Sequence, residues 1–308
     1  MECRDALIDL AMNAIAIHHD FSFNMAGTGA ADHGLAINSL SRREAGLPSL
    51  GSLDANLSAL SASRRVFQIL SPWLTLGIFA YVYAMHWMIL LPVAMLAHFI
   101  VVVAFTHDVV HGTAGLSRRA TEWALFCMSP LMLASGHAFR WSHLHHHSHS
   151  LARDDFEGSP ATMSLKAALM SGPTYMPRLW LHGYTHCKRA IECRWMAAEL
   201  GTDIAFIIAA LLLFPWTCAP LVYYLLVWIG GALFPISTAW LPHFKPTSGL
   251  AGQARTLRGK YIPGLFMNLT YHLEHHLYPQ VPGVNLPRLA TLLDPHFARL
   301  GVEPPRTY

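Results

Sequence analysis

The sequence predicts an all-α integral membrane protein, with four transmembrane helices in two hairpins and a cytoplasmic helical cap. Three observations carry that expectation. The chain is 53% hydrophobic and only 13% charged, where a soluble domain carries about 25% charged residues. Its apolar residues gather into four long runs, set as two close pairs. Many of its twenty histidines cluster at or beyond the ends of those pairs.

Residues 66–84 and 87–106 form the first pair of runs. Each is long enough to cross a hydrocarbon core of roughly 30 Å at about 1.5 Å per residue. The second pair covers about 202–216 and 219–240, and the short third run extends back toward Met196. Pro72, Pro92 and Pro235 fall inside runs, where neighbouring helices can re-satisfy the freed carbonyls. The turns, Met85–His86 and Thr217–Cys218, are very short. Neither they nor the four runs contain Lys or Arg. By the positive-inside rule, the segments before 66, between 107 and 201 and beyond 240 are cytoplasmic. Both termini and all histidine clusters then share the cytoplasmic side, as expected for a multi-pass protein of a bacterial inner membrane.

Residues 1–65 read as a partly disordered cytoplasmic tail, because Met25–Ser63 is rich in Gly, Ala and Ser. Residues 66–308 read as the catalytic domain. The first twenty residues lack the basic start, long apolar stretch and small-residue cleavage site of a secretory signal. GTGAAD (27–32) misses the third glycine of a dinucleotide fingerprint and follows no strand, so it reads as linker. The five cysteines (Cys3, Cys127, Cys187, Cys193 and Cys218) show no C-x-x-C spacing and suggest no disulfide framework.

The second run leads into HDVVH, with His107 and His111 at i and i+4. On a helix those rings share one face, a turn apart, as two ligands of one metal would. Alone, the pair could equally meet lipid head groups. The pattern H-x-x-H-H occurs twice, at His143, His146, His147 and at His272, His275, His276. That repetition is hard to obtain by chance. Neutral imidazoles without thiolate favour a redox or hydrolytic centre over a structural zinc finger, and suit iron, copper, nickel or zinc alike. His145 and His149 fall outside the pattern; in a helix His145 lies about 200° around from His143.

At HDVVH, WSHLHHHSH (141–149) followed by RDDFEG (153–158), and YHLEHHLYPQVPGVNLPRL (271–289), the chain resembles the membrane fatty-acid-desaturase superfamily. That superfamily includes acyl desaturases and carotenoid ketolases and hydroxylases, and the likeness spans about residues 66–290. It implies that His107, His111, His143, His146, His147, His272, His275 and His276 hold two non-haem irons that activate dioxygen. Stearoyl-type members add a ninth histidine after the fourth span, a position filled here by His243. Some of those members carry Asn one turn earlier, where this chain has Ala239. Asp108, Asp154, Asp155 and Glu274 stand beside the rings and are candidates to accept a ring N–H and fix a tautomer. The blander reading of the aspartates after the second box is a helix cap or solvated loop; for Glu274, it is a solvent-facing position.

His98 lies inside the second run, and a bond across the bundle suits it better than ligation. His137, His182 and His186 lie in the loop between the pairs and are weak candidates to touch the site. No flavin, nicotinamide or iron–sulfur motif is present, so electrons must come from a separate ferredoxin or cytochrome b5-type donor with its reductase. A basic cytoplasmic face suits an acidic donor; no nucleic-acid partner is expected. The expected substrate is a lipid- or carrier-linked acyl chain. The alternative, a carotenoid ring ketolase or hydroxylase, is kept open by WLPH (240–243) and the short first box. A metal transporter would distribute its ligands through the spans rather than at their ends.

Overall fold

A computed structural model describes residues 46–244 and 252–305. Among these residues the fold is all helical, without a strand. The longer helices are α1 (Ala62–Ala84), α2 (Leu91–Val110), α3 (Arg118–Met132), α4 (Gly136–His149), α5 (Leu165–His186), α6 (Ala190–Leu213) and α7 (Ala219–Phe234). The short α8 (His272–Leu277) and α9 (Leu286–Arg299) follow. Serines start four of them: Ser61, Ser117, Ser135 and Ser164 each accept the amide three residues on, opening α1, α3, α4 and α5. Such caps satisfy amides that would otherwise be orphaned at a helix start.

Four stretches are long and apolar enough to cross a membrane: Ala62–Ala84, Met88–Val110, Ala190–Leu213 and Ala219–His243. Exposed Phe67, Leu74 and Ile78 on α1, and Phe206, Leu211 and Leu212 on α6, present the apolar surface expected to meet lipid. Their bounds differ from the apolar runs where polar residues continue a helix. The second span extends to Val110 and takes HDVV into its last turn. The third begins at Ala190, because Glu192 and Arg194 extend the helix before its apolar part. The fourth runs past Phe234 through a π-helical segment, Pro235–Trp240, to His243. Pro235 cannot donate a ladder hydrogen bond, and the wider turn there re-aims the chain ahead of His243.

Inside the bundle, His98 bonds Thr75 Oγ1 (2.9 Å) through Nδ1 and Tyr223 Oη (2.9 Å) through Nε2. Both ring nitrogens are satisfied, as a cross-bundle role requires. Helices α5 and α7 cross so closely that a Cβ on Gly172 would lie 2.0 Å from the Ala232 carbonyl oxygen. Only glycine allows that approach.

A second core gathers Leu273, Leu277, Leu286, Leu289, Leu293 and Phe297 from the C-terminal helices. Leu47 and Leu57 join it. Part of the expected tail is therefore ordered: a strap from residue 46 to α1 packs under the third histidine box. Its leucines, at positions 47, 50, 53 and 57, supply an apolar face despite the Ser-rich composition. Tyr278 Oη donates to the Pro48 carbonyl (2.8 Å), and Asn285 Nδ2 donates to the Leu57 carbonyl (2.9 Å). The linker reading of GTGAAD lies outside the described residues.

Candidate metal centre

Three helix segments and the end of the fourth span bring nine histidines together. His107 comes from the last turn of α2, and His111 caps it. His143, His146 and His147 lie on the inner face of α4. His272, His275 and His276 come from α8, and His243 from the turn after the π segment. The candidate ligand atoms form two groups, each within 4.8 Å: His107, His111, His143, His275, and His146, His243, His272, His276. His147 lies between them, its Nε2 2.9 Å from that of His275 and 3.3 Å from that of His143, its ring stacked on His276.

The donor set fits cations. His143 Nδ1 donates to Glu157 Oε1 (2.7 Å), His146 Nδ1 to Asp155 Oδ2 (2.7 Å) and His243 Nδ1 to the Gln253 carbonyl (2.7 Å). With the proton on Nδ1, each neutral ring keeps a lone pair on Nε2. Those Nε2 atoms then converge: His146 on His243 at 3.1 Å, and His243 on His272 at 2.9 Å. His107 and His275 meet at 3.0 Å, as do His276 and His272. His111 Nε2 is buried with no protein partner. Facing lone pairs repel unless a proton or a metal lies among them, which gives this arrangement its affinity for cations.

Electrostatics point the same way. Burial first, and neighbouring imidazoles second, hold His143, His147, His272, His275 and His276 well below the ordinary histidine pKa. The same causes bring His111 down to about 2. Neutral imidazole is the form that donates a lone pair to metal. His146 is the exception: burial lowers it, but the bond to Asp155 and the Asp155 and Glu157 charges outweigh that and raise it. Burial pushes Glu157 up to about 8, with the His146 charge opposing and Asp155 adding.

The four carboxylates expected beside the rings divide. Asp155 lies against the box ring His146 and also accepts the amides of Leu151 (2.8 Å) and Gly158 (2.9 Å). Asp154, its neighbour, turns outward to His145 Nε2 (3.1 Å) and touches no box ring. Asp108 accepts from Gln68 Nε2 (2.7 Å) and the Gly283 amide (3.2 Å), while His107 Nδ1 stays 3.8 Å away. Glu274 is fully buried, so the solvent-facing reading fails; it takes Arg258 Nε (2.7 Å) rather than a ring. An arginine fork outcompetes imidazole for a buried carboxylate because its charge is permanent.

Two supports escaped sequence reasoning. Glu157 sits in an irregular loop with no periodic signal, though RDDFEG contains it. Gly158 matters by its lack of a side chain: a Cβ there would lie 2.2 Å from Asp155 Oδ2 and 3.1 Å from His146 Nδ1. His137 stays outside the centre, bonded to Glu199 (2.5 Å) and Glu122 (2.8 Å). His182 packs on Phe156 and, with His186, on Trp141.

A family model described as fatty acid desaturase matches residues 85–304, a span that holds all nine histidines. The chain belongs to the fatty acid desaturase family. Two curated relatives are each called sphingolipid delta(4)-desaturase/C4-monooxygenase DES2, from Bos taurus and Homo sapiens. Both are 28% identical over 212 residues, covering 63% of this chain and 62% of the relative. The chain thus spans about three-fifths of their length.

Proposed function

We propose that the protein is a dioxygen-dependent lipid desaturase, an oxidoreductase that introduces a double bond into the acyl chain of a lipid- or carrier-linked substrate. The observation that carries this reading is the convergence of nine histidines, eight in two groups of four with His147 between them, from the ends of the second and fourth spans and from α4 and α8, in a chain of the desaturase family. His107, His111, His143, His147 and His275 would hold one iron, and His146, His243, His272 and His276 the other. Two bound irons supply the activation of dioxygen needed to attack an unactivated C–H bond. In the balance of the reaction, two hydrogens leave adjacent carbons and two further electrons with two protons come from a donor, so dioxygen ends as two waters.

The protein's own part is to hold the rings, exclude water and admit the chain. Glu157, Asp155 and the Gln253 carbonyl keep the Nδ1 protons in place, so Nε2 faces inward. Phe139 stacks on His143 and meets Phe234, forming an apolar wall between the rings and the bundle. Elsewhere in the bundle, between α5, α6 and α7, lies a largely apolar cleft of about 420 Å³, lined by Met176, Ile204 and Trp228 among others. Its character suits a hydrocarbon chain. The positive-inside rule places the histidine face in the cytoplasm, and a bacterial inner membrane fits this layout. A separate ferredoxin or cytochrome b5-type donor reaches that face.

Hydroxylation is the second reading, because the same oxidant can return oxygen to the attacked carbon. WLPH (240–243) keeps a carotenoid ring substrate in view, and the relatives' printed name couples desaturase with monooxygenase. Expression in a host supplied with β-carotene, followed by mass spectrometry of lipids and pigments, separates the two. New acyl double bonds with unchanged pigment support the desaturase reading; oxidised carotenoid with unchanged acyl chains overturns it.

A further inference from the structure

We propose that His145, His149 and Asp154 form a third metal site, facing solvent and binding an exchangeable divalent transition ion. Helix α4 has two histidine faces. Its inner face carries the rings of the buried groups, and its outer face carries His145 and His149 at i and i+4. Those two rings stack with centroids 4.2 Å apart and planes 14° from parallel. Asp154 reaches back from the next loop to His145 Nε2 at 3.1 Å. One ligand atom from each of the three residues lies within 4.8 Å of the other two.

The site is built rather than accidental, because the buried centre positions it. Leu151 turns the chain with φ of 61°, and its amide bonds Asp155. Asp155, fixed on His146, sets the place of its neighbour Asp154. Trp141 stacks on the other side of His145, with planes 6° apart. Ser148 Oγ lies 2.9 Å from His149 Nδ1 and can orient that ring.

Two imidazoles and one carboxylate bind borderline transition ions and leave coordination positions for water. An ion would take the place of the hydrogen bond between His145 Nε2 and Asp154 Oδ2. Because the site is exposed, its ion should exchange with weak chelators, unlike ions enclosed by the nine inner histidines. An ion there would also tie α4 to the loop that carries Asp155 and Glu157.

The test uses the full chain without a histidine tag, in detergent and loaded with iron, titrated with zinc after treatment with a weak chelator. Wild type should take up one rapidly exchanging zinc while its iron content stays constant. His149→Ala should weaken that uptake at least about tenfold, since losing even a ring's outer partner costs 10–100-fold in metal affinity. Asp154→Asn should weaken it in the same direction, with iron retained in both variants. The absence of an exchanging zinc in wild type would overturn the proposal. Wild-type zinc binding in both variants would do so too, by placing the ion on other histidines. Loss of iron with zinc uptake intact would count against the buried centre and leave this site standing.

Discussion

Helices α4 and α8 carry the same H-x-x-H-H pattern but hold it in different ways. In α4, fourteen residues long, two of the three box rings are fixed from behind by carboxylates of one loop, Glu157 and Asp155. Helix α8 has six residues, too few to be stable alone. Its carboxylate, Glu274, serves the helix rather than the rings, tying it to Arg258, which also binds Asp294. The lesson is that the motif sets which rings can converge, while the surrounding chain decides what keeps them there. One box depends on its hydrogen-bond partners; the other depends on its anchorage.

Substitutions can break this comparison, beginning with the rings. His146→Ala and His275→Ala should each abolish turnover and lower metal content, whichever helix carries the ring; wild-type turnover in either would refute the assignment. Arg258→Ala should act on stability, because it leaves Glu274 buried without its charge partner, a loss of about 3–5 kcal/mol. Thermal unfolding checks this, and Arg258→Met with Glu274→Gln should recover much of it. Asp155→Asn should cost about 10–100-fold in metal affinity with little change in Tm. Equal effects of Asp155→Asn and Arg258→Ala on both readouts would erase the distinction between the boxes. Smallest of all, His145→Ala should leave the iron content unchanged; full loss of iron there would show that the inner face of α4 has been misread.

Much of this was legible in the chain because periodicity and repetition survive without tertiary information. The four spans follow from apolar runs, and the convergence of the rings from two copies of one spacing and a pair at i and i+4. What stayed hidden depends on contacts between distant segments. Nothing in HLEHH says that Glu274 will meet Arg258, sixteen residues earlier, instead of a ring. Nothing in the second box says that its rings separate, with His143 in one group and His146 in the other. The Ser-rich region before α1 masked four leucines, of which Leu47 and Leu57 are buried and Leu50 and Leu53 partly so, in the core built by the C-terminal helices. Gly158 is silent for another reason: its role is the space it leaves for Asp155.

The strap before α1 also bears on the order in which the protein is made. Pro48 meets Tyr278 and Leu57 meets Asn285, contacts that join positions some 230 and 228 residues apart. A chain emerging from its N-terminus can insert both hairpins while the strap still lacks its partner. His107 must likewise wait for His275. The histidine centre is therefore completed only after synthesis, when the last helices fold back onto the four-span bundle. A chain truncated near residue 260, and so without His272, His275 and His276, should insert its spans yet bind metal far more weakly than the full chain.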